Sequence, residues 1–230
     1  TAGAFLVAFQ GPASIFAALG QAASATLAVV TGSAILYRIP GFNPALLRLR
    51  DAIAFIVYGA YGSATISATF GLASLYLAGA TGYEGLGKAW LVYWLGDATG
   101  ALLVTPLVFA APTAFRFTSR LKAIKFAAML ALVTTFCVVV FSGLVIEGTY
   151  TRNMSLAVLP LVMWAAIDFG TGGAAIAVFL ISSVATLATA IGAGPFAGTS
   201  PFVGAMRLDV VFSVLALTGL SLAAVIAERE

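Results

Sequence analysis

The stretch AWLVYWLGDATGALLVTPLVFAAPTAF, residues 89–115, contains one charged residue, Asp97, between Lys88 and Arg116. About 20 apolar residues in an α-helix cross the hydrocarbon core of a bilayer, so this run is long enough to span a membrane. In lipid, only α-helices and closed β-barrels satisfy every backbone polar group, and barrel strands are short segments of alternating polarity. Long uncharged runs rich in Ala, Leu and Val recur along the chain and favour helices.

The composition excludes an ordinary soluble domain. Hydrophobic residues make up 62% of the 230 residues and charged residues only 8%, whereas a soluble domain carries about 25% charged residues. The chain therefore cannot cover a water-facing surface. We predict an all-α, polytopic transmembrane bundle of about seven full spans plus an N-terminal fragment, about eight helices in all, which forms one integral membrane domain over residues 1–230.

Uncharged runs and turn signals divide the chain into spans. The first ten residues resemble half a span without the basic start of a signal peptide, so we expect a helix that begins upstream. Because the ending IAERE contains no Gly, Pro or cap, we expect the last helix to continue toward a domain after residue 230. The full spans are expected at about 12–36, 50–80, 88–111, 122–146, 154–169, 172–191 and 207–227.

The basic residues predict the orientation in the membrane. Cytoplasmic connections of membrane proteins are enriched in Lys and Arg. An alternating topology places three basic residues on one side and eight on the other: Lys88, Arg152 and Arg207 against Arg38, Arg48, Arg50, Arg116, Arg120, Lys122, Lys125 and Arg229. We therefore predict a multi-pass protein with a cytoplasmic C-terminus.

Asp97 is the main candidate for a functional residue. A carboxylate near the middle of a span costs about 2.5–3.5 kcal/mol on insertion scales and usually faces the protein interior. Gly96 and Gly100 form a GxxxG motif that permits close approach of another helix. Asp97 is therefore either a structural hydrogen-bonding residue at a tight crossing or a ligand or proton site. In both cases we expect its carboxylate to face the bundle core with a polar partner on another helix, beside a kink at Pro106.

Other polar and aromatic residues are weaker candidates. Trp94, one turn before Asp97, can line a pocket, and Gln21 can hydrogen-bond across helices. Trp164 lies in a short span that ends at Asp168, which is either a solvated turn residue or part of a site. The Gly/Pro-rich loop that contains Gly194, Pro195 and Phe196 is either an ordinary outer turn or a lid.

The sequence lacks the patterns of an enzyme. A single cysteine and the absence of histidine exclude an intrachain disulfide and the commonest general base. There is no phosphate-binding glycine loop, no cluster of metal ligands and no nucleophile with an adjacent base. We expect no catalytic residue, no cofactor, no metal and no nucleic acid partner for this chain; the bilayer is its expected partner.

Four segments together resemble a known family. WLGDATGALLVTPLV (94–108), LPLVMWAAIDFGTGGAAIAV (159–178), GAGPFAG (192–198) and LSLAAVIAERE (220–230) are similar, in order and spacing, to the bacterial membrane-associated sensor domain of the first type, the first class of the MASE family. The resemblance covers about residues 3–230. The residues that match its motifs are Trp94, Gly96, Asp97, Gly100, Pro106, Pro160, Trp164, Gly170, Gly194, Pro195 and Phe196.

Two positions depart from the family pattern. Asp168 stands where an arginine is usual, and Gln21 and Ser24 stand where an Asn and Glu pair is common. If that pair contacts the ligand, the ligand of this chain differs.

The resemblance implies a sensory input domain in a bacterial inner membrane. Such a domain passes a small-molecule or lipid signal to a cytoplasmic histidine kinase or diguanylate cyclase in the same chain, often as a homodimer or with a partner membrane protein. Two alternatives remain at the level of sequence. A midplane acid and broken spans also occur in transporters and channels, and a charge-poor bundle can be a structural subunit of a larger membrane complex.

Overall fold

The computed structural model describes residues 15–79, 85–114, 119–141, 155–193, 196 and 201–229. Every regular element within these ranges is a helix. The all-α prediction is therefore confirmed. The predicted N-terminal fragment, residues 1–10, lies outside the described residues, as do Gly194 and Pro195.

The second predicted span contains three helical types in succession, α2, a π-helix and α3, and the other spans are α-helices. The elements in chain order are α1 (Ile15–Arg38), α2 (Leu49–Ala54), the π-helix (Phe55–Gly62), α3 (Ser63–Leu77), α4 (Leu86–Ala114), α5 (Arg120–Phe141), a 3₁₀ turn (Ser155–Val158), α6 (Leu159–Ala190) and α7 (Pro201–Ala227).

Among the described residues, six helical segments are long and apolar enough to cross a membrane. They are Ile15–Arg38, Leu49–Leu77, Leu86–Ala110, Arg120–Phe141, Leu159–Ala190 and Phe202–Ala227. This count is lower than the expected seven full spans because the two spans predicted at 154–169 and 172–191 both lie within α6.

The helix α6 folds back on itself at Gly170, which has φ 63° and ψ −156°. A Cβ atom built on Gly219 of α7 would lie 2.7 Å from Val162 and 3.7 Å from Val178. In a straight helix, those two valines would be about 24 Å apart. Both are eight residues from Gly170, so α6 has two antiparallel legs, 159–169 and 171–190, with a turn where the sequence predicted one.

A second glycine allows the two legs to approach closely. A Cβ atom on Gly173 would lie 2.8 Å from the carbonyl oxygen of Ala165 on the opposite leg and would overlap the Cβ atom of Phe169. Ala166 and Ala174, each four residues from Gly170, pack together with Ala223 of α7. Small residues therefore line the tight turn and its contact with α7.

The chain divides into two compact units, residues 1–42 with 54–101 and residues 43–53 with 102–230. In the first unit, α1 packs along α3. A Cβ atom on Gly20 would overlap Ser74, and one on Gly32 would lie 3.0 Å from the Cβ atom of Ser63. Glycine at these positions lets the two helices approach closely over most of their length.

In the second unit, the turn of α6 lies near two segments that are rich in basic residues. The Thr171 hydroxyl donates to the Ala45 carbonyl oxygen at 3.2 Å, and Phe169 packs edge-on against Phe126 with ring centroids 5.1 Å apart. Ala223, near the end of α7, lies at the same end of this unit. At the opposite end, Phe141 stacks on Phe196.

Asp51 of α2 is fully buried and accepts a hydrogen bond from the Asn43 backbone N–H at 3.3 Å. We expected the last helix to run through residue 230, but α7 ends at Ala227. The Glu228 N–H still bonds to the Ala224 carbonyl oxygen at 3.1 Å, so the α-helical pattern persists for one more bond.

The close approach of the two α6 legs predicts the effect of Gly173→Ala. The added methyl meets a backbone carbonyl oxygen that cannot move aside as a side chain can, so we expect the free energy of unfolding to fall by about 1–3 kcal/mol. Thermal unfolding of the purified chain in detergent measures this loss. Gly87→Ala in α4 is the control, because a Cβ atom there meets nothing within 4 Å. Equal midpoints for the two variants would contradict the tight turn.

Candidate functional site

Gln21 of α1 joins three helices of the first unit. Its Nε2 donates to the Gly71 carbonyl oxygen of α3 at 2.7 Å, and its Oε1 accepts a hydrogen bond from the Tyr93 hydroxyl of α4. The Ser24 hydroxyl donates to the Gln21 carbonyl oxygen at 2.9 Å. Gln21 is 8% exposed, so this amide is an interior link between helices, as its polar character predicted.

Gly71 makes room for this link. A Cβ atom at that position would lie 3.0 Å from the Tyr93 hydroxyl oxygen and 3.2 Å from the Ser24 hydroxyl oxygen. A side chain there would push the phenol away from Gln21. The glycine therefore lets α4 place a hydroxyl group between α1 and α3.

Ser67, one turn before Gly71 on α3, connects the link to Asp97. Its hydroxyl lies within interaction range of both the Tyr93 hydroxyl and the Asp97 carboxylate. The side chain is only 3% exposed, yet its oxygen has no partner with hydrogen-bond geometry among the described residues. Gln21, Ser24, Ser67, Tyr93 and Asp97 together form what we call the polar cluster.

Asp97 itself is exposed on the surface of the chain. The expectation of a core-facing carboxylate is therefore wrong for the chain taken alone, although Ser67 supplies the expected polar neighbour on another helix. The reason is the rotation of α4, whose buried face contains Leu95, Ala98 and Thr99. Successive residues are about 100° apart around a helix, which places Asp97 on the side of α4 nearly opposite to that face.

The predicted close crossing at the GxxxG motif is absent at Gly100. A Cβ atom on Gly100 would meet nothing within 4 Å. The structural interpretation of Asp97, as a hydrogen-bonding residue at a tight helix crossing, is therefore not supported there. Gly96 lies within α4 and is partly exposed.

The charge of Asp97 has no nearby cation in its own unit. The described basic residues of that unit are Arg38, at the end of α1, and Lys88. Lys88 precedes Asp97 by nine residues, which is about 13–14 Å along a helix. Asp97 lies eleven residues after the start of the span at Leu86, about 16–17 Å, and is thus near the middle of a bilayer core of about 30 Å.

Trp94 belongs to an aromatic group beside the polar cluster. Its indole N–H donates to the Thr65 hydroxyl at 3.0 Å and to the Tyr61 carbonyl oxygen at 3.2 Å. Its ring stacks on Trp90, with centroids 5.8 Å apart, and lies 5.2 Å from the Tyr61 ring. Tyr61 is in the π-helix, a conformation that is frequent at functional sites and that the sequence did not reveal.

A second group of predicted residues lies in the other unit. Trp164 donates from its indole N–H to the Asp168 carboxylate at 2.9 Å. Asp168 also lines an open cavity of about 210 Å³ together with two lysines. The cavity is lined by Ser119, Leu121, Lys122, Lys125, Asp168 and Phe169.

The remaining predicted residues do not join either group in the structure. Pro106 is buried within α4, which continues through it from Leu86 to Ala114. Phe196 is buried against Phe141. Within the described ranges, no group of three or more Cys, Asp or Glu residues could hold a metal ion.

The sequence contained each member of the polar cluster but did not show that they meet. Helical spacing was the available signal. Ser67 and Gly71 are four residues apart, Tyr93 and Asp97 are four apart, and Gln21 and Ser24 are three apart, so each pair shares one face of its helix. Which faces meet depends on the packing of α1, α3 and α4.

The comparisons with known proteins identify the family but no individual relative. No curated protein and no solved structure matches the chain. The MASE1 family model matches residues 2–230, nearly the entire sequence and both groups of candidate residues. The chain therefore belongs to the MASE1 family of membrane-associated sensor domains.

Proposed function

We propose that this chain is the membrane-embedded input domain of a bacterial signalling protein and that the polar cluster receives its signal. The observation that carries the proposal is the exposed Asp97 carboxylate in the middle of a span, connected through Ser67 and Tyr93 to the interior link at Gln21. A ligand at Asp97 acts on side chains that join three helices. Family membership supports a sensory rather than a catalytic role.

The signal acts by changing the balance between two packings of the helices. A ligand shifts such a balance only if it binds one packing more tightly than the other. The polar cluster provides that difference, because its hydrogen bonds depend on the separation of α1, α3 and α4. The close approach of α1 to α3 at Gly20 and Gly32 is the packing that would change.

The helix α7 carries the change out of the membrane. It packs against both legs of α6, at Val162 and Val178 through Gly219, and at Ala166 and Ala174 through Ala223. A shift of either leg therefore acts on α7. In our proposal the chain leads from α7 into a cytoplasmic histidine kinase or diguanylate cyclase output, and two copies of the chain pair through these outputs.

The distribution of basic residues supports a cytoplasmic C-terminus in the bacterial inner membrane. The turn of α6 and the end of α7 lie at the same end of the second unit as residues 43–53 and the start of α5. Those two segments include Arg48, Arg50, Arg120, Lys122 and Lys125. By the preference of Lys and Arg for the cytoplasmic side, this end faces the cytoplasm.

Reporter fusions test this orientation. Fusion of green fluorescent protein after residue 230 is expected to give fluorescent cells, and fusion of alkaline phosphatase after Gly192 is expected to give an active enzyme, because the two positions are on opposite sides. Exchange of the two reporters is the matched control and should abolish both signals. An active phosphatase at residue 230 would overturn the topology.

Insertions after Ala227 test transmission through α7. In a fusion of residues 1–230 to a diguanylate cyclase, each added residue rotates the output by about 100°. We expect cyclase activity to change with inserts of one to three helix-forming residues. A seven-residue insert, which falls about 20° short of two full turns, should restore it. Activity that is the same for every insert, and for a flexible Gly-Ser replacement, would show that α7 is only a tether.

A further inference from the structure

The polar cluster has used nearly all of its hydrogen-bond donors. The Gln21 amide donates to Gly71, the Tyr93 hydroxyl donates to Gln21 Oε1, and the Ser24 hydroxyl donates to the Gln21 carbonyl oxygen. A hydroxyl group has one proton to donate. Tyr93 and Ser24 therefore present only lone pairs to any further neighbour.

Ser67 offers a single proton to two acceptors. Its buried hydroxyl lies within interaction range of the Tyr93 oxygen and the Asp97 carboxylate, and it has no partner with hydrogen-bond geometry among the described residues. An ionised carboxylate can accept about four hydrogen bonds. Whichever way the Ser67 proton points, most of the acceptor capacity of Asp97 remains unused, so this part of the cluster requires a donor from outside.

A positively charged donor suits Asp97 better than a neutral one. Asp97 lies near the middle of its span, and the described basic residues of its unit are at the ends of their helices, at Arg38 and Lys88. A carboxylate at this depth is stabilised by a cation that also donates hydrogen bonds. A neutral hydroxyl-bearing ligand would leave its charge uncompensated.

The surroundings of Asp97 favour an organic cation over a bare metal ion. The carboxylate is exposed on one side, and a Cβ atom on Gly100 meets nothing within 4 Å, so there is space beside it. Trp94, one turn away, is held in place by its bonds to Thr65 and to the Tyr61 carbonyl oxygen. An aromatic wall suits an apolar group attached to a cation, whereas hard metal cations take six or more oxygen ligands in an enclosing shell.

We infer that Asp97, Ser67 and the Tyr93 oxygen form a binding site for a protonated amine whose apolar part packs against Trp94. The ammonium group donates to the Asp97 carboxylate and to the two hydroxyl oxygens, while the Ser67 proton completes the set by donating to Asp97. The identification of this amine as the signal rests on the proposed sensory function. The binding of the amine does not depend on that function.

Titration of the purified 230-residue chain in phosphatidylcholine nanodiscs at pH 7 tests the site. The probe is 2-phenylethylamine, which is protonated at this pH, and its neutral analogue 2-phenylethanol is the control ligand. Isothermal calorimetry should show saturable binding of the amine alone. We expect Asp97→Asn to weaken it by about tenfold or more, because the charge-assisted bonds are lost, and Ser67→Ala to weaken it by a smaller factor.

Asp209→Asn is the matched control variant, because it makes the same chemical change within the α7 span, in the other unit of the chain. It should bind the amine as the unmodified chain does. The comparison of amine with alcohol needs no variant, so the proposal can be tested even if Asp97→Asn does not fold.

Three results would overturn the site. The first is equal binding of the alcohol, and the second is unchanged amine binding by a folded Asp97→Asn variant. The third is binding of sodium ions that depends on Asp97 and that the amine does not compete with. The cyclase fusion separates this proposal from the sensory function. Amine binding without any change in cyclase activity would refute the sensory role and leave the site. If cyclase activity depends on α7 inserts but the chain binds no amine, the amine site is refuted and the sensory function is not.

Discussion

Within a bilayer, each polar group must find its partner inside the protein, because hydrocarbon offers none. Most polar side chains of the spans meet this condition locally. Thr26, Thr65 and Thr69 donate to the carbonyl oxygen four residues earlier on their own helix at 2.6–2.9 Å. Trp94 satisfies the Tyr61 carbonyl oxygen of the π-helix, and the Gln21 amide is satisfied by groups from two other helices. Against this background, the exposed carboxylate of Asp97 and the unpartnered hydroxyl of Ser67 are exceptions.

Close helix packing depends on the same constraint. Lipid tails are as apolar as leucine side chains, so helices in a membrane associate through contact and hydrogen bonding. Glycine allows both. Gly20 and Gly32 let α1 approach α3, Gly71 lets the Tyr93 hydroxyl reach Gln21, and Gly173 lets one leg of α6 pack against the other. These glycines serve contacts between helices, whereas Gly170 serves the backbone itself, because its φ of 63° is strained for other residues.

The sequence predicted the features that composition and local pattern determine. The shortage of charge required a helical membrane domain, and the series FGTGG at 169–173 indicated a turn between the spans predicted at 154–169 and 172–191. It did not predict the π-helix at Phe55–Gly62, because a local pattern does not show which backbone carbonyl oxygens accept bonds from other helices, as that of Tyr61 does from Trp94. The GxxxG motif around Asp97 indicated a tight crossing, but Gly100 has no close neighbour. A motif permits close approach, and the rotation of the helix decides whether it occurs.

The residues of the polar cluster were visible in the sequence as isolated polar positions, and the structure gives their order in space. Ser67 lies within interaction range of both Asp97 and Tyr93, Tyr93 donates to Gln21, and Gln21 donates to the Gly71 carbonyl oxygen. The first member is exposed and the last two join helices in the interior, so in our proposal a ligand that contacts Asp97 acts on the hydrogen bonding of α1 and α3. A tenfold preference of that ligand for one packing corresponds to about 1.4 kcal/mol. Loss of a single interior hydrogen bond costs a similar amount, so a change in one hydrogen bond of the cluster is large enough to account for the proposed effect of a ligand on the packing of α1 and α3.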